Sequence, residues 1–277
     1  MRNVTVKLDR VQLVSWAPQG RKPPLLKGFA VTRDCFVRCQ TTTATYARCR
    51  QYKSLKDDTK IYLQYERLKG WLKPWKITIV ADDETGLSYE QIENVLGHCR
   101  FYRFLVIEVA IDFNPSTGVD RKFVRRHAIF GKSRRSRRKE NSILYWGGRK
   151  SEKLVRCYYK KELDKFRIEP EIHSPLLRDE HISTLEDFDG LPELIFPHHF
   201  RFVDVDWDRL HRNLTRKRNS QALISGARQR RTSLSRLRRY LRRNGITNFH
   251  RFLVPHAINK KIDRAFTRWI RQFEDAS

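Results

Sequence analysis

At 277 residues the chain is long enough for one sizeable hydrophobic core or two domains. Hydrophobic residues make up 39% and aromatics 12%, which argues against a disordered chain, and no apolar run approaches the roughly 18 residues of a membrane-spanning helix. A formal charge of +27 points to a polyanionic partner. The opening MRNVTVKLDR has no apolar signal region, so a protein of the cytosol or nucleus is expected. Cys35, Cys39, Cys49 and the His98-Cys99 pair include no C-x-x-C spacing, so structural thiols are expected rather than a zinc site.

In chain order, alternation of apolar and polar residues predicts strands over 3–14, 29–38, 60–66 and 74–81. A helix is predicted over 88–100, capped by Ser88 with Gln91 three residues on, and with Ile92, Val95 and Leu96 as its stripe. Residues 121–139 hold ten lysines and arginines and no acid, and 131–141 reads as an exposed hairpin tip or loop. Strands over 142–147, 153–160 and 166–173 follow, with short connections that imply antiparallel pairing and an α+β fold. After about 175, Pro175, Pro192 and Pro197 mark a linker-like stretch over 176–205. Helices are then predicted over 232–244, stopped by Gly245, and over 256–274, with Ile258, Ile262, Phe266, Trp269 and Phe273 on one stripe. The division expected is an α+β catalytic domain over 1–175, the linker, and a basic helical region over 206–277.

Three segments carry the chemistry. In 105–113 the apolar face is Leu105, Ile107, Val109, Ile111 and Phe113, leaving Glu108 and Asp112 on the other face. In 153–160, Val155, Cys157 and Tyr159 oppose Arg156, Tyr158 and Lys160. In 166–173, Phe166, Ile168 and Ile172 oppose Arg167, Glu169, Glu171 and His173. Clustered carboxylates repel unless a cation or an arginine neutralises them, and hard oxygen ligands suit Mg²⁺ or Mn²⁺. A tyrosine beside such a centre and beside Arg156 and Lys160 can attack a phosphodiester. Tyr158 lies on the polar face, and Tyr159 is expected in the core.

The run YWGGRKSEKLVRCYYKKE at 145–162 resembles the glycine-x-arginine-x-serine, arginine-x-tyrosine-x-lysine signature of rolling-circle plasmid replication initiators of the Rep-trans (replication initiation factor) family. The order of neighbours agrees over about 60–173: a strand and helix, an acidic strand ending Ala-Ile-Asp-Phe, then Arg-x-Glu at 167–169. The resemblance implies a nickase-like sheet and a site-specific DNA nicking endonuclease and strand transferase that joins a tyrosine to a DNA 5′ phosphate at a plasmid or phage origin. It maps the nucleophile to Tyr158, flanked by Arg156 and Lys160, and the metal ligands to Glu108, Asp112 and Glu169. Its partners would be origin duplex or hairpin and single-stranded DNA, with room for a host helicase, in a bacterial cytoplasm. Glu108 stands where the family more often has aspartate, and the histidine-hydrophobe-histidine motif of other tyrosine nickases is absent. Pro170 predicts an edge or bulged strand.

Residues 211–277 carry 18 lysines and arginines against three acids, so more than half the net charge sits in the last quarter. Candidate DNA contacts are Arg134, Arg135, Arg137, Arg138, Arg149 and Lys150 in the central basic stretch, and Arg236, Arg239, Arg242 and Arg243 in the C-terminal helices. Two other readings stay open. The sheet could be a non-catalytic platform for DNA or RNA, with Tyr145, Trp146 and Tyr158 stacking on bases, or a metal nuclease could use water and leave Tyr158 incidental.

Overall fold

The three alternating segments become strands, in which apolar side chains at every second position share one face. The computed structural model describes residues 3–16, 23–36, 46–67, 74–130, 136–138, 143–147, 152–196, 200–217 and 219–275. Five strands come first: β1 (Val4–Ser15), β2 (Phe29–Phe36), β3 (Tyr46–Ser54), β4 (Lys60–Arg67) and β5 (Trp75–Val80). Helix α1 (Tyr89–Leu96) leads to β6 (Tyr102–Phe113), α2 (Arg121–His127) and the short strands β7 (Ala128–Phe130), β8 (Ser136–Arg138) and β9 (Leu144–Trp146). Then come β10 (Lys153–Lys160), β11 (Lys165–His173), α3 (Ser174–Asp179), α4 (Leu191–Ile195) and β12 (Phe200–Val205). The chain closes with α5 (Trp207–Thr215), α6 (Ser220–Gln229), α7 (Leu234–Arg243), β13 (Leu253–Pro255) and α8 (Ile258–Glu274).

The fold is α+β. Ten strands form one antiparallel sheet in the order β2-β3-β4-β5-β1-β6-β11-β10-β9-β8, and β13-β12-β7 form a second, small one. Ile107, Val109 and Ile111 of β6, Ile168 and Ile172 of β11, and Val155 and Cys157 of β10 enter one core with Ile92, Val95 and Leu96 of α1. Ser88 and Gln91 form the reciprocal cap that starts α1. β11 is interior, between β6 and β10, so Pro170 is not at an edge. Its neighbours absorb it: the ladder to β6 runs through Ile168 and resumes at Glu171, with no pair registered at Glu169 or Pro170.

The stretch 176–205 is core rather than linker. Pro175 and Pro192 occupy the first turns of α3 and α4, where a missing N–H costs nothing, so here proline marks helix starts. Leu177, Phe188, Ile195, Phe200 and Phe202 are buried in the main cluster. The expected boundary near 205 also departs from the packing. Ile258, Ile262, Phe266, Trp269 and Phe273 of α8 belong to the sheet's core, whereas α5, α6 and α7 surround a second cluster that includes Leu210, Leu214, Ala227, Leu237 and Leu241. Ending the chain at residue 200 would therefore strip α8 from the sheet and leave its apolar face in water. Such a truncation is expected to be insoluble or to lose its folded signal in circular dichroism, and a soluble, cooperatively melting product would contradict the packing described here.

Candidate active site

The polar face of β1, β6, β11 and β10 is a ladder of alternating charge set by strand register. Arg10 is opposite Glu108, Arg156 opposite Glu169, and Arg167 opposite both Asp112 and Tyr158. Arg10 Nη2 lies 2.6 Å from Glu108 and 3.1 Å from Glu171. Arg156 Nη2 bridges Glu108 Oε1 and Glu169 Oε2, the latter at 3.0 Å. Arg167, fully buried, grips Asp112 with two bonds of 2.6 and 3.0 Å. Lys7 adds an ion pair to Asp112 at 3.2 Å. The loop after β5 closes this end: Arg167 also donates to the Asp83 carbonyl at 3.2 Å. Gly86 is required there, because a Cβ on it would fall 2.7 Å from Lys7 Cβ.

Asp9 completes the site, and the alternation pattern missed it. Leu8 pairs with Val109 and Arg10 with Glu108, so Asp9 is the extra residue of a β-bulge in β1. Buried positions run Val4, Val6, Leu8 and then Val11, Leu13, a change of parity that was the available signal. Oxygens of Asp9, Glu108 and Glu169 lie within 4.8 Å of one another. Two oxygens on one ion can sit roughly 4–5 Å apart, given bonds of about 2.0–2.6 Å. The donor set is all carboxylate, the chemistry of a hard divalent cation, and such an ion would share Glu108 Oε2 with Arg10, 2.6 Å away, and Glu169 Oε2 with Arg156, 3.0 Å away. Asp112 does not join them; of the three ligands expected, the fold gathers Glu108 and Glu169 and commits Asp112 to Arg167.

The electrostatics separate these roles. Burial pushes Asp9 above the usual carboxylate range, against the pull of Arg167 and Lys160. Burial also raises Glu169, and the charge of Asp9 adds to it while Arg156 opposes. Asp112 feels burial too, but the bonds and charge of Arg167 with Lys7 outweigh it and hold its carboxyl low. At Asp9 and Glu169, burial outweighs the arginines that reach them, Arg167 at 3.5 Å from Asp9 and Arg156 at 3.0 Å from Glu169, whereas at Asp112 the cations win.

Tyr158 is half-buried, and its hydroxyl donates to Glu169 Oε1 at 2.5 Å. Burial, and then the charge of Glu169, raise its pKa well above that of a free phenol. Lys160 pairs with Asp83 at the rim. Tyr159 is on the opposite face, as expected, yet it is 50% exposed rather than core. It stands at the hairpin end of β10, where its hydroxyl donates to Asp164 in the turn.

No family model matches the chain, and neither does any curated protein. Among solved structures, the chain is similar to a rolling circle replication initiator protein from Geobacillus stearothermophilus, at 13% identity and a TM-score of 0.40, over 79% of this chain and 91% of that one.

The basic residues divide by position. Arg236, Arg239, Arg242 and Arg243 are exposed on α7. Arg137 and Arg138 lie on β8, which pairs with β9 at the sheet edge, two strands from Tyr158. Arg134, Arg135, Arg149 and Lys150 lie outside the described residues. A second convergence joins His127, Asp204 and His256. There His256 Nδ1 accepts from the Ile258 N–H at 3.0 Å, so in the neutral ring Nε2 carries the proton and faces Asp204 at 3.7 Å. His127 Nδ1 lies 3.0 Å from the same carboxylate. His127 Nδ1 is also 3.1 Å from the Val203 carbonyl, so these contacts tie α2 to β12, and the His256 nitrogen that faces Asp204 carries a proton in the neutral ring rather than a free lone pair.

Proposed function

We propose that this chain is a replication initiator endonuclease of the rolling-circle type, which nicks a plasmid or phage origin and holds the 5′ end on Tyr158. The observation that carries the reading is the Tyr158 hydroxyl bonded to Glu169, one of three converging carboxylates. The phenol oxygen attacks phosphorus as its proton passes to Glu169, the bond from phosphorus to the 3′ oxygen breaks, and that oxygen takes a proton from solvent water, giving a phosphotyrosine bond and a free 3′ hydroxyl. A divalent ion on Asp9, Glu108 and Glu169 would draw charge from the phosphate oxygens and ease ionisation of the phenol. Arg156, partly exposed beside Glu108 and Glu169, offers its guanidinium to the phosphate, and Lys160 lies on the same face. DNA, as origin duplex or hairpin and as single strand, is the partner, with a host helicase to extend the opening, in a bacterial cytoplasm.

A second reading is a metal nuclease in which water attacks, and the raised pKa of Tyr158 favours it, since the phenol holds its proton tightly. Incubating the protein with single-stranded or supercoiled DNA and Mn²⁺, then running a denaturing gel, separates the two. A protein band carrying DNA supports the tyrosine route. Nicked DNA with no adduct supports water, and intact DNA overturns both.

A further inference from the structure

We propose that α6 and α7 form a helix-turn-helix unit whose second helix enters the major groove of duplex DNA and reads bases with its outward arginines. The proposal rests on DNA being the partner, and not on the nicking chemistry.

The apolar side of α7 is already occupied. Leu237 and Leu241 are buried against Leu210 and Leu214 of α5 and Ala227 of α6. With about 100° per residue, that packing turns Arg236, Arg239 and Arg243 to the opposite side, with Arg242 on its flank. All four are exposed, and none is in an ion pair among the described residues. A solvated helix face normally mixes signs, with acids three or four residues from bases. Here the ten residues of α7 include five arginines and no acid, so the arginines repel one another along the helix. A polyanion relieves that repulsion.

The connection between the helices has the length such a unit needs. Residues 230–233 join α6 to α7 through a single 3-10 turn, and Ser233 Oγ caps α7 by accepting from the Arg236 N–H at 3.2 Å. Gly226 lets the helices touch: a Cβ there would lie 2.6 Å from Tyr240 Cζ, and the Tyr240 hydroxyl donates to the Leu223 carbonyl at 3.3 Å. The crossing of the two helices is therefore fixed by contact. From Arg236 to Arg243 the helix advances about 10 Å, close to the roughly 12 Å width of the major groove. In such units the early residues of the second helix meet base edges, which places Arg236 and Arg239 there. At the turn, Arg230 lies over the Tyr240 ring at 4.5 Å and Arg231 over Trp207 at 5.6 Å, positions that suit flanking phosphates.

The test is selection from a pool of duplexes with a random 20-base-pair centre, using the full chain and its Arg236→Ala/Arg239→Ala variant. Circular dichroism and thermal melting verify that the variant is folded. The wild type is expected to enrich a motif, and the variant to lose preference at one or two positions, each by about 10-fold, the scale of one bidentate base contact. Affinity for a random single strand is expected to change less than affinity for the selected duplex. The same motif from both proteins, or equal affinity of the wild type for single strand and every duplex, would overturn the proposal. Failure of the nicking reading looks different: no protein–DNA adduct from the wild type, while the motif is still enriched. If the double variant does not fold, Arg239→Gln alone is read in the same way.

Discussion

Replacing Tyr158 by phenylalanine is expected to abolish the protein–DNA adduct while duplex binding stays within about twofold. The change removes one hydroxyl from a half-buried ring whose only described bond is to Glu169, so the strand and its apolar packing remain. Loss of a nucleophile lowers turnover by at least about a thousandfold. Tyr159→Phe supplies the internal control. Its hydroxyl reaches only Asp164 in the exposed turn, on the other side of the sheet, and cutting is expected to continue at close to the normal rate. Adduct lost in Tyr159→Phe and kept in Tyr158→Phe would reverse the assignment.

The second large effect distinguishes two aspartates that a strand pattern cannot separate. Asp9→Asn is expected to abolish cleavage and Mn²⁺ binding, measured by paramagnetic resonance of free Mn²⁺, with little change in melting temperature. Its carboxylate is already disfavoured by burial, so the neutral amide costs the fold little. Asp112→Asn is expected to act on stability. It removes the negative charge that the buried Arg167 guanidinium and Lys7 share and one of the two bonds to Arg167, a loss of about 3 kcal/mol, visible as a lowered denaturation midpoint. Loss of Mn²⁺ binding in a stably folded Asp112→Asn protein would return Asp112 to the ligand set, and tight Mn²⁺ binding by Asp9→Asn would remove Asp9 from it.

Those two residues mark the limit of what the sequence reveals. Period-two alternation located β6, β10 and β11 and sorted Tyr158 from Tyr159 by face, because successive side chains of a strand point to opposite faces and only one of these faces is apolar. It could not say which charges meet across strands. Arg167 opposite Asp112 is a matter of register, and register depends on the whole sheet. Asp9 was hidden for a related reason: a bulge shifts the parity of β1, so a strictly alternating template places the residue on no consistent face. Strand β3 escaped notice because Arg48, Arg50 and Lys53 dilute its apolar pattern. The segment 176–205 read as a linker because prolines were taken as breaks, whereas at the first turn of α3 and α4 they initiate helices. In the C-terminal quarter, charge was legible but packing was not. Both α7 and α8 are amphipathic and basic, yet one closes a separate cluster and the other completes the main sheet.

The central claim is that Tyr158 becomes covalently joined to DNA. Its most direct test is to trap the adduct with Mn²⁺ and a single-stranded oligonucleotide, digest both protein and DNA, and locate the residual nucleotide by mass spectrometry. The account predicts one modified peptide, spanning the β10 segment, with a 5′-linked nucleotide on Tyr158 and an unmodified Tyr159. A nucleotide on any other residue, or nicked DNA with every tyrosine unmodified, would contradict it.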